Sequence, residues 1–241
     1  MDRKISLLSV IPMRKEPAHR SEMVNQLLFG ETASCLEVKD GWVMLRLDHD
    51  GYEGWVQDKQ LTDTGGDPSR PFMLEWPVQH NDNRWYFAGS LSPVPVAEKG
   101  WTADPSAELN RLRVLCNQFL GAPYLWGGRT MAGFDCSGLV QVIFRLLGTS
   151  LPRDASQQVA VGQVLDFVDQ CVAGDLAFFD NEEGNIIHVG VVSGVKDGKV
   201  HIVHASGEVR EDVLDHNGIF NAAGAQYSHK LRALRRIAAF T

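Results

Sequence analysis

The chain has few cysteines, four in 241 residues, and no two of them form a C-x-x-C pair. Their spacings of 81, 20 and 35 residues fit no zinc or redox signature, so neither a metal nor a cofactor is expected. Missing too is any run of about 18–20 consecutive apolar residues, which excludes a membrane-spanning helix. The stretch Ile5 to Met13 is apolar but short. It contains Pro12 and runs into Arg14-Lys15-Glu16 without a small-x-small cleavage site. With unpaired cysteines, this points to a reducing, cytoplasmic compartment. The net charge is −7, from 23 basic and 30 acidic residues, and no Lys/Arg cluster is long enough to track a phosphate backbone. Nucleic acid is therefore not an expected partner. The one basic grouping, Lys230, Arg232, Arg235 and Arg236, reads as a solvated face. Internal repeats and low-complexity tracts are lacking as well.

What is present suggests two domains. In residues 1–63, short alternating runs (Ser34 to Val38, Trp42 to Leu47, Gly54 to Val56) are separated by Lys39-Asp40-Gly41 and Asp48-His49-Asp50-Gly51 turns. That spacing predicts a small antiparallel barrel. Residues 64–104 open on Gly65-Gly66-Asp67-Pro68 and contain a strand-like Arg84 to Ala88. They read as a linker or a reduced second barrel. Residues 105–241 carry the chemistry.

There, Cys136 lies in Phe134-Asp135-Cys136-Ser137-Gly138. Behind it Leu139, Ile143, Leu146 and Leu147 recur at helical spacing, with Gly148 where a cap belongs. A thiol at a helix start, among small polar neighbours, is expected to be exposed and held toward thiolate by the helix dipole. Cys35, Cys116 and Cys171 are assigned to cores, as most unpaired cysteines are.

A base is also at hand. His188 sits in an apolar strand-like run, Ile186 to Val192, with Gly190 on the same face leaving room beside the imidazole. A second strand, His201 to Ser206, follows the Lys196-Asp197-Gly198-Lys199 turn. With a two-residue loop, paired residue numbers sum to 395 and His201 shares the face of His188. With a three-residue loop and a bulge they sum to 394, and His204 pairs with Gly190 instead. Local signals leave both registers open.

Five ordered motifs bear on the choice: Tyr124-Leu125-Trp126-Gly127-Gly128, Asp135-Cys136-Ser137-Gly138-Leu139, Gly174 to Phe179, His188-Val189-Gly190, and Val203-His204-Ala205-Ser206. Together they resemble the NlpC-type branch of papain-like bacterial cell-wall peptidases, over residues 105–240 or so. The resemblance implies an α+β fold in which a helix carrying cysteine packs on an antiparallel sheet carrying histidine. It implies Cys136 as nucleophile, His188 as base and His204 as the residue that orients the base. The three-residue hairpin loop follows from it, with His201 a solvent-side bystander. The Tyr124 hydroxyl would join the Cys136 backbone N–H in an oxyanion hole; aromatic packing beside Trp126 is the plainer reading of Tyr124.

Ser21-Glu22-Met23, Leu28-Phe29-Gly30-Glu31 and Asp50-Gly51-Tyr52-Glu53-Gly54-Trp55 resemble the bacterial SH3-like domain that precedes the catalytic domain in a subset of these enzymes, intracellular γ-D-glutamyl-L-diamino acid endopeptidases. That likeness implies a small peptide substrate with a free N-terminal L-Ala and a diaminopimelate or lysine residue, used in murein-peptide recycling. Asp135, Ser137 and Asp154 match the amine-binding positions, and Tyr52 matches the barrel tyrosine that closes the pocket. Here Ala155 stands where a serine is common. Each residue has a simpler role available: Asp135 favouring the helix dipole, Asp154 forming a capping box with Gln157, Tyr52 a turn aromatic. Hydrolysis of intact peptidoglycan and a catalytically inactive wall-peptide-binding module are the alternative functions.

Overall fold

The computed structural model describes residues 2–65, 72–79, 83–93, 105–221 and 224–237. It divides into two compact units, Met1–Gly100 with Trp126–Met131, and Trp101–Leu125 with Ala132–Thr241.

In the first unit, strands β1 (Arg3–Ile5), β2 (Val10–Arg14), β3 (Met23–Leu28), β4 (Thr32–Lys39), β5 (Trp42–Leu47), β6 (Glu53–Gln57) and β7 (Thr62–Thr64) form one antiparallel sheet in the order β3-β2-β6-β5-β4-β1-β7. Its period-two pattern turns Val43, Leu45 and Leu47 into a core with Ile11, Met13, Leu27, Ala33 and Val56. Lys39 pairs with Trp42 across Asp40-Gly41, whose φ angles of 50° and 78° make the two-residue turn that suits strand twist. This is the expected SH3-like barrel. After it, β8 (Phe72–Met73) pairs with β11 (Leu91–Ser92), and β9 (Val78–Gln79) pairs with β10 (Trp85–Tyr86). The Gly66-Asp67-Pro68 part of the expected linker lies outside the described residues. Strand β12 (Arg129–Thr130) belongs to this unit. The buried Arg129 guanidinium forks onto the Glu31 carboxylate at 3.1 and 3.0 Å and donates to the Gln26 carbonyl at 2.8 Å.

The second unit runs α1 (Pro105–Phe119), β13 (Gly133–Phe134), α2 (Cys136–Leu146), α3 (Ala155–Gln158), β14 (Gln163–Leu165), β15 (Leu176–Asp180), β16 (Ile186–Lys196), β17 (Lys199–Ser206), β18 (Glu208–Asp215), β19 (Gly218–Asn221) and β20 (Gln226–Arg236). Its sheet order is β14-β20-β15-β16-β17-β18-β19, and β20 also pairs with β19, closing the antiparallel sheet on itself. Ala177, Phe179, Val192, Ile202, Leu214 and Leu234 fill the core. Helix α2 is buried along its whole length and packs on β16 and β17, so the cysteine helix lies on the histidine sheet as expected.

The ends of α2 follow from its sequence. Asp135 is the N-cap, accepting from the Gly138 N–H at 2.6 Å. Gly148, at φ 83°, closes the other end in a Schellman arrangement, with Gly148 N–H to Arg145 and Thr149 N–H to Phe144.

The β16–β17 hairpin corrects one expectation. Its loop has two residues, Asp197 and Gly198, with φ of 52° and 73°, not three. Next to the turn the paired numbers sum to 395, as in Lys196 with Lys199 and Gly194 with His201. An extra residue, Ser193, then bulges β16, and from Val192–Ile202 onward the sum is 394. Gly190 therefore faces His204 as the resemblance implied, but a mid-strand bulge sets that register, not the loop.

The basic grouping on β20 is also less solvated than expected. Arg236 grips Asp175 at 3.0 and 2.8 Å, and Arg235 donates to the Val159 carbonyl at 2.7 Å. Among the described residues no helix is long and apolar enough to cross a membrane.

Candidate active site

Helix α2 delivers Cys136 to the first residues of β16. Its Sγ lies 4.0 Å from the Ile187 carbonyl oxygen and meets the backbone N–H of Val189, so the sulfur rests against the strand on both sides of His188. Unlike the exposed thiol expected, Cys136 is buried, as are Asp135 and Ser137. The thiolate expectation fails with it. Burial, followed by the Asp135 carboxylate, pushes the thiol up to about 11, against the opposing pull of the Val189 and Ser137 N–H groups and the Arg153 cation. Desolvation outweighs the helix end, and the resting group is the thiol.

His188 and His204 meet directly, Nε2 to Nδ1 at 2.9 Å, both buried. Their neighbours fix the protons. The Asp212 carboxylate lies 3.1 Å from His204 Nε2 and is itself clasped by Arg210 at 2.6 and 3.0 Å. A carboxylate only accepts, so His204 Nε2 carries a proton, and in the neutral ring His204 Nδ1 is then the acceptor. His188 must then donate from Nε2, which leaves His188 Nδ1 as the basic nitrogen. Burial first, then the His229 and His204 rings, holds His188 well below its ordinary 6.5, so it is neutral at pH 7. Gly190 makes the contact feasible. A Cβ there would stand 2.7 Å from Ile202 Cδ1 and 3.0 Å from His204 Cβ.

A third imidazole, His229 on β20, stacks on His188 with centroids 4.1 Å apart and planes 19° from parallel. Burial and the His204 ring lower it to about 4, with Asp212 opposing. His201 stands apart from this cluster, its Nδ1 3.8 Å from Glu211.

Beside the thiol, Arg153 donates to both Asp135 oxygens, at 3.0 and 2.5 Å, and to Ser137 Oγ at 2.9 Å. Gln158 ties the Ser137 carbonyl to that of Pro152, at 3.1 and 2.8 Å. Tyr124, half-buried, is pushed up to about 12 by burial and then by the Cys136 and Asp135 charges, so its hydroxyl is within electrostatic reach of both. Asp154 precedes α3 without a side-chain cap bond, so the capping-box alternative does not form, and α3 ends at Gln158. Tyr52 packs on the core of the first unit. Of the other cysteines, Cys116 and Cys171 are buried, and Cys35 is only partly so.

Three residues escaped the sequence reading: Asp212, Arg153 and His229. Arg153 had a usable signal, as it immediately precedes Asp154, one of the residues matched to the amine-binding positions. Asp212 pairs with Ile202, two places along β17 from His204, and becomes visible only once that register is known. His229 reaches His188 through the closure of the sheet, which no local pattern announces.

The catalytic architecture has clear relatives. Residues 121–225 match the NlpC/P60 family model, and residues 13–61 match the bacterial dipeptidyl-peptidase SH3 domain. The chain is 32% identical to the gamma-D-glutamyl-L-lysine dipeptidyl-peptidase of Bacillus subtilis (strain 168), over 70% of this chain and 69% of that protein. It is 26% identical to the protein of the same name from Bacillus cereus, over 72% of this chain and 66% of that one. In fold it resembles the crystal structure of a NlpC/P60 family protein from Bacillus cereus ATCC 10987, with a TM-score of 0.73, 18% identity and coverage of 97% and 99% of the two chains. The burial of the thiol, the histidine pair and these matches converge: the chain belongs to the NlpC/P60 family of cysteine peptidases, with an SH3-like domain ahead of the catalytic fold.

Proposed function

We propose that the protein hydrolyses the γ-D-glutamyl–diamino acid amide of short murein peptides bearing a free N-terminal L-Ala, acting in the cytoplasm on peptides recovered from the wall. The reading is carried by one observation, Cys136 lying against β16 beside a His188–His204–Asp212 chain whose tautomers leave His188 Nδ1 basic. The two relatives named for the γ-D-glutamyl-L-lysine bond support the substrate class.

In this mechanism His188 Nδ1 takes the Cys136 proton as sulfur attacks the amide carbonyl, since the resting pair is thiol and neutral imidazole. His204 holds the tautomer and orientation of His188 and is itself held by Asp212. The Cys136 backbone N–H and the Tyr124 hydroxyl stabilise the oxyanion. The acyl-enzyme forms as His188 protonates the departing amine of the diamino acid. Water activated by the same nitrogen then releases the peptide acid. Ser137, Asp135 and Asp154 receive the L-Ala ammonium, with Arg153 fixing the first two, and Tyr52 is assigned to substrate binding by resemblance.

The test is turnover of L-Ala-γ-D-Glu-diaminopimelate, its lysine counterpart, and the N-acetylated form of each. Release of the diamino acid from free-amine peptides alone is the expected result. Equal turnover after acetylation rejects the amine requirement, and solubilisation of intact sacculi replaces the substrate with peptidoglycan.

A further inference from the structure

His229 has no step in that mechanism, yet it completes a cluster. His188, His204 and His229 each offer a ring nitrogen, and the three nitrogens lie within 4.8 Å of one another. We propose that these imidazoles form a binding site for a divalent transition-metal ion of the Zn²⁺ class, and that an ion bound there switches the peptidase off. The binding half stands on the cluster alone; the inhibition half rests on the proposed function.

The donor set fits. Three imidazole donors suit Zn²⁺, Ni²⁺ or Cu²⁺ and do not suit Mg²⁺ or Ca²⁺, which prefer oxygen. His204 is already arranged as a metal ligand, its Nε2–H held by the Asp212 carboxylate at 3.1 Å and its Nδ1 bare, the outer-shell arrangement that fixes histidine ligands. His229 Nδ1 meets Ser228 Oγ at 2.9 Å, which leaves Nε2 for an ion. The His204 ring stands at 89° and 81° to the other two, and its Nδ1 lies 2.9 Å from His188 Nε2 at the edge of that ring. His188 and His229 are near-parallel, and their lone pairs converge only if one ring tilts. His229, half-buried where His188 is buried, is the ring with room to do so. Metal–nitrogen bonds of about 2.0–2.1 Å require that closure.

Inhibition follows from proton placement. The ion takes the place of the proton shared by His188 Nε2 and His204 Nδ1. His188, bound through Nε2 and still neutral, carries that proton on Nδ1, and no net proton is released. Nδ1 then has no lone pair with which to accept the proton of Cys136. Poisoning of the thiol is not needed.

Equilibrium dialysis of the full chain with Zn²⁺, and visible spectroscopy with Co²⁺ as probe, decide the matter. One ion per chain is expected, retained in Cys136→Ala and without a thiolate-to-cobalt charge-transfer band. Binding is expected to weaken at least tenfold in His229→Phe, which keeps a stacking ring and cannot ligate, and in His229→Gln, while His201→Ala binds as wild type. Zn²⁺ should inhibit wild-type peptide turnover reversibly with EDTA, and His229→Phe should keep its own metal-free rate at the same Zn²⁺ concentration. Absence of binding, loss of binding in Cys136→Ala, or wild-type affinity in both His229 variants overturns the site. A metal-free wild type that turns over no peptide overturns the proposed function instead, while dialysis still decides the site.

Discussion

His204 Nδ1 stands 2.9 Å from His188 Nε2 because β16 carries one more residue than β17 between the turn and the histidines. The tight Asp197-Gly198 turn alone would set every pair to a sum of 395, placing His204 opposite Val191 and its side chain on the face away from His188. Deleting Ser193 removes the extra residue and is expected to flip His204 off the site while the hairpin survives. Far-UV circular dichroism should remain near wild type and peptide turnover should fall by about 10³-fold or more, the scale for loss of a triad member. Wild-type turnover in the deletion would mean that the register does not place the orienting group.

The same chain of protons grades its members. His204→Ala removes the acceptor of the His188 Nε2 proton and is expected to lower kcat by about 10³–10⁴-fold, since the wrong tautomer then becomes available. His204→Asn offers an amide oxygen to the same proton and should recover part of that loss. Asp212→Asn acts one link further out, with an expected loss of about 10–100-fold, the usual cost of removing an outer partner. Steady-state kinetics on the three variants checks the order, and a larger loss in Asp212→Asn than in His204→Ala would contradict it.

Much of this arrangement is legible in sequence, and the reasons for the rest are physical. The α2 helix, its Asp135 cap and Gly148 terminator, and the barrel strands follow local periodicity and turn chemistry. Gly190 is readable because only a glycine leaves room for the neighbouring strand's side chains. The β16 bulge is not, since Gly194 at φ 147° looks like any strand glycine until the partner strand is in place. The thiol misleads for another reason. Small polar neighbours suggest exposure, but Asp135 and Ser137 are buried because Arg153 satisfies them, and that partner arrives from sixteen to eighteen residues away.

The Asp135–Arg153 pair yields a stability prediction. Both groups are buried and joined by two hydrogen bonds, so Arg153→Met strands a buried carboxylate and is expected to cost about 3–5 kcal/mol. Asp135→Asn leaves the guanidinium uncompensated at a similar cost. The double variant removes both charges and should be more stable than either single one, yet remain inactive on free-amine peptides. Urea midpoints for the four proteins form the cycle. Additive losses would show that the two groups do not depend on each other.

The resting thiol makes a kinetic prediction. With Cys136 near 11 and His188 neutral, alkylation by iodoacetamide should be slow at pH 7 and climb through pH 9–10 without a plateau at lower pH. Intact-mass measurement of the modified fraction follows it. A plateau in rate from pH 5 to 7 would reveal a preformed thiolate–imidazolium pair and rule out the general-base route.

Stability should depend on acid through the same histidines. His229 is lowered to about 4 and His188 well below 6.5, both chiefly by burial, whereas in the unfolded chain each titrates near 6.5. As the pH falls below 6.5 the unfolded chain takes up protons that the folded chain refuses, so stability present in full above that value is lost on acidification. The His229 share levels off below about 4, and the His188 share continues to its own lower value. Asp212, held below its ordinary 3.8 although burial pulls it up, because hydrogen bonds from His204 and Arg210 outweigh that pull, contributes only at more acid pH. Urea midpoints at pH 7, 5.5 and 4.5 should therefore decline steadily, and His229→Gln should decline less steeply over the same range. An equal slope in that variant would mean that His229 titrates alike in the folded and unfolded chains, and that its stacking on His188 does not shield it from protonation.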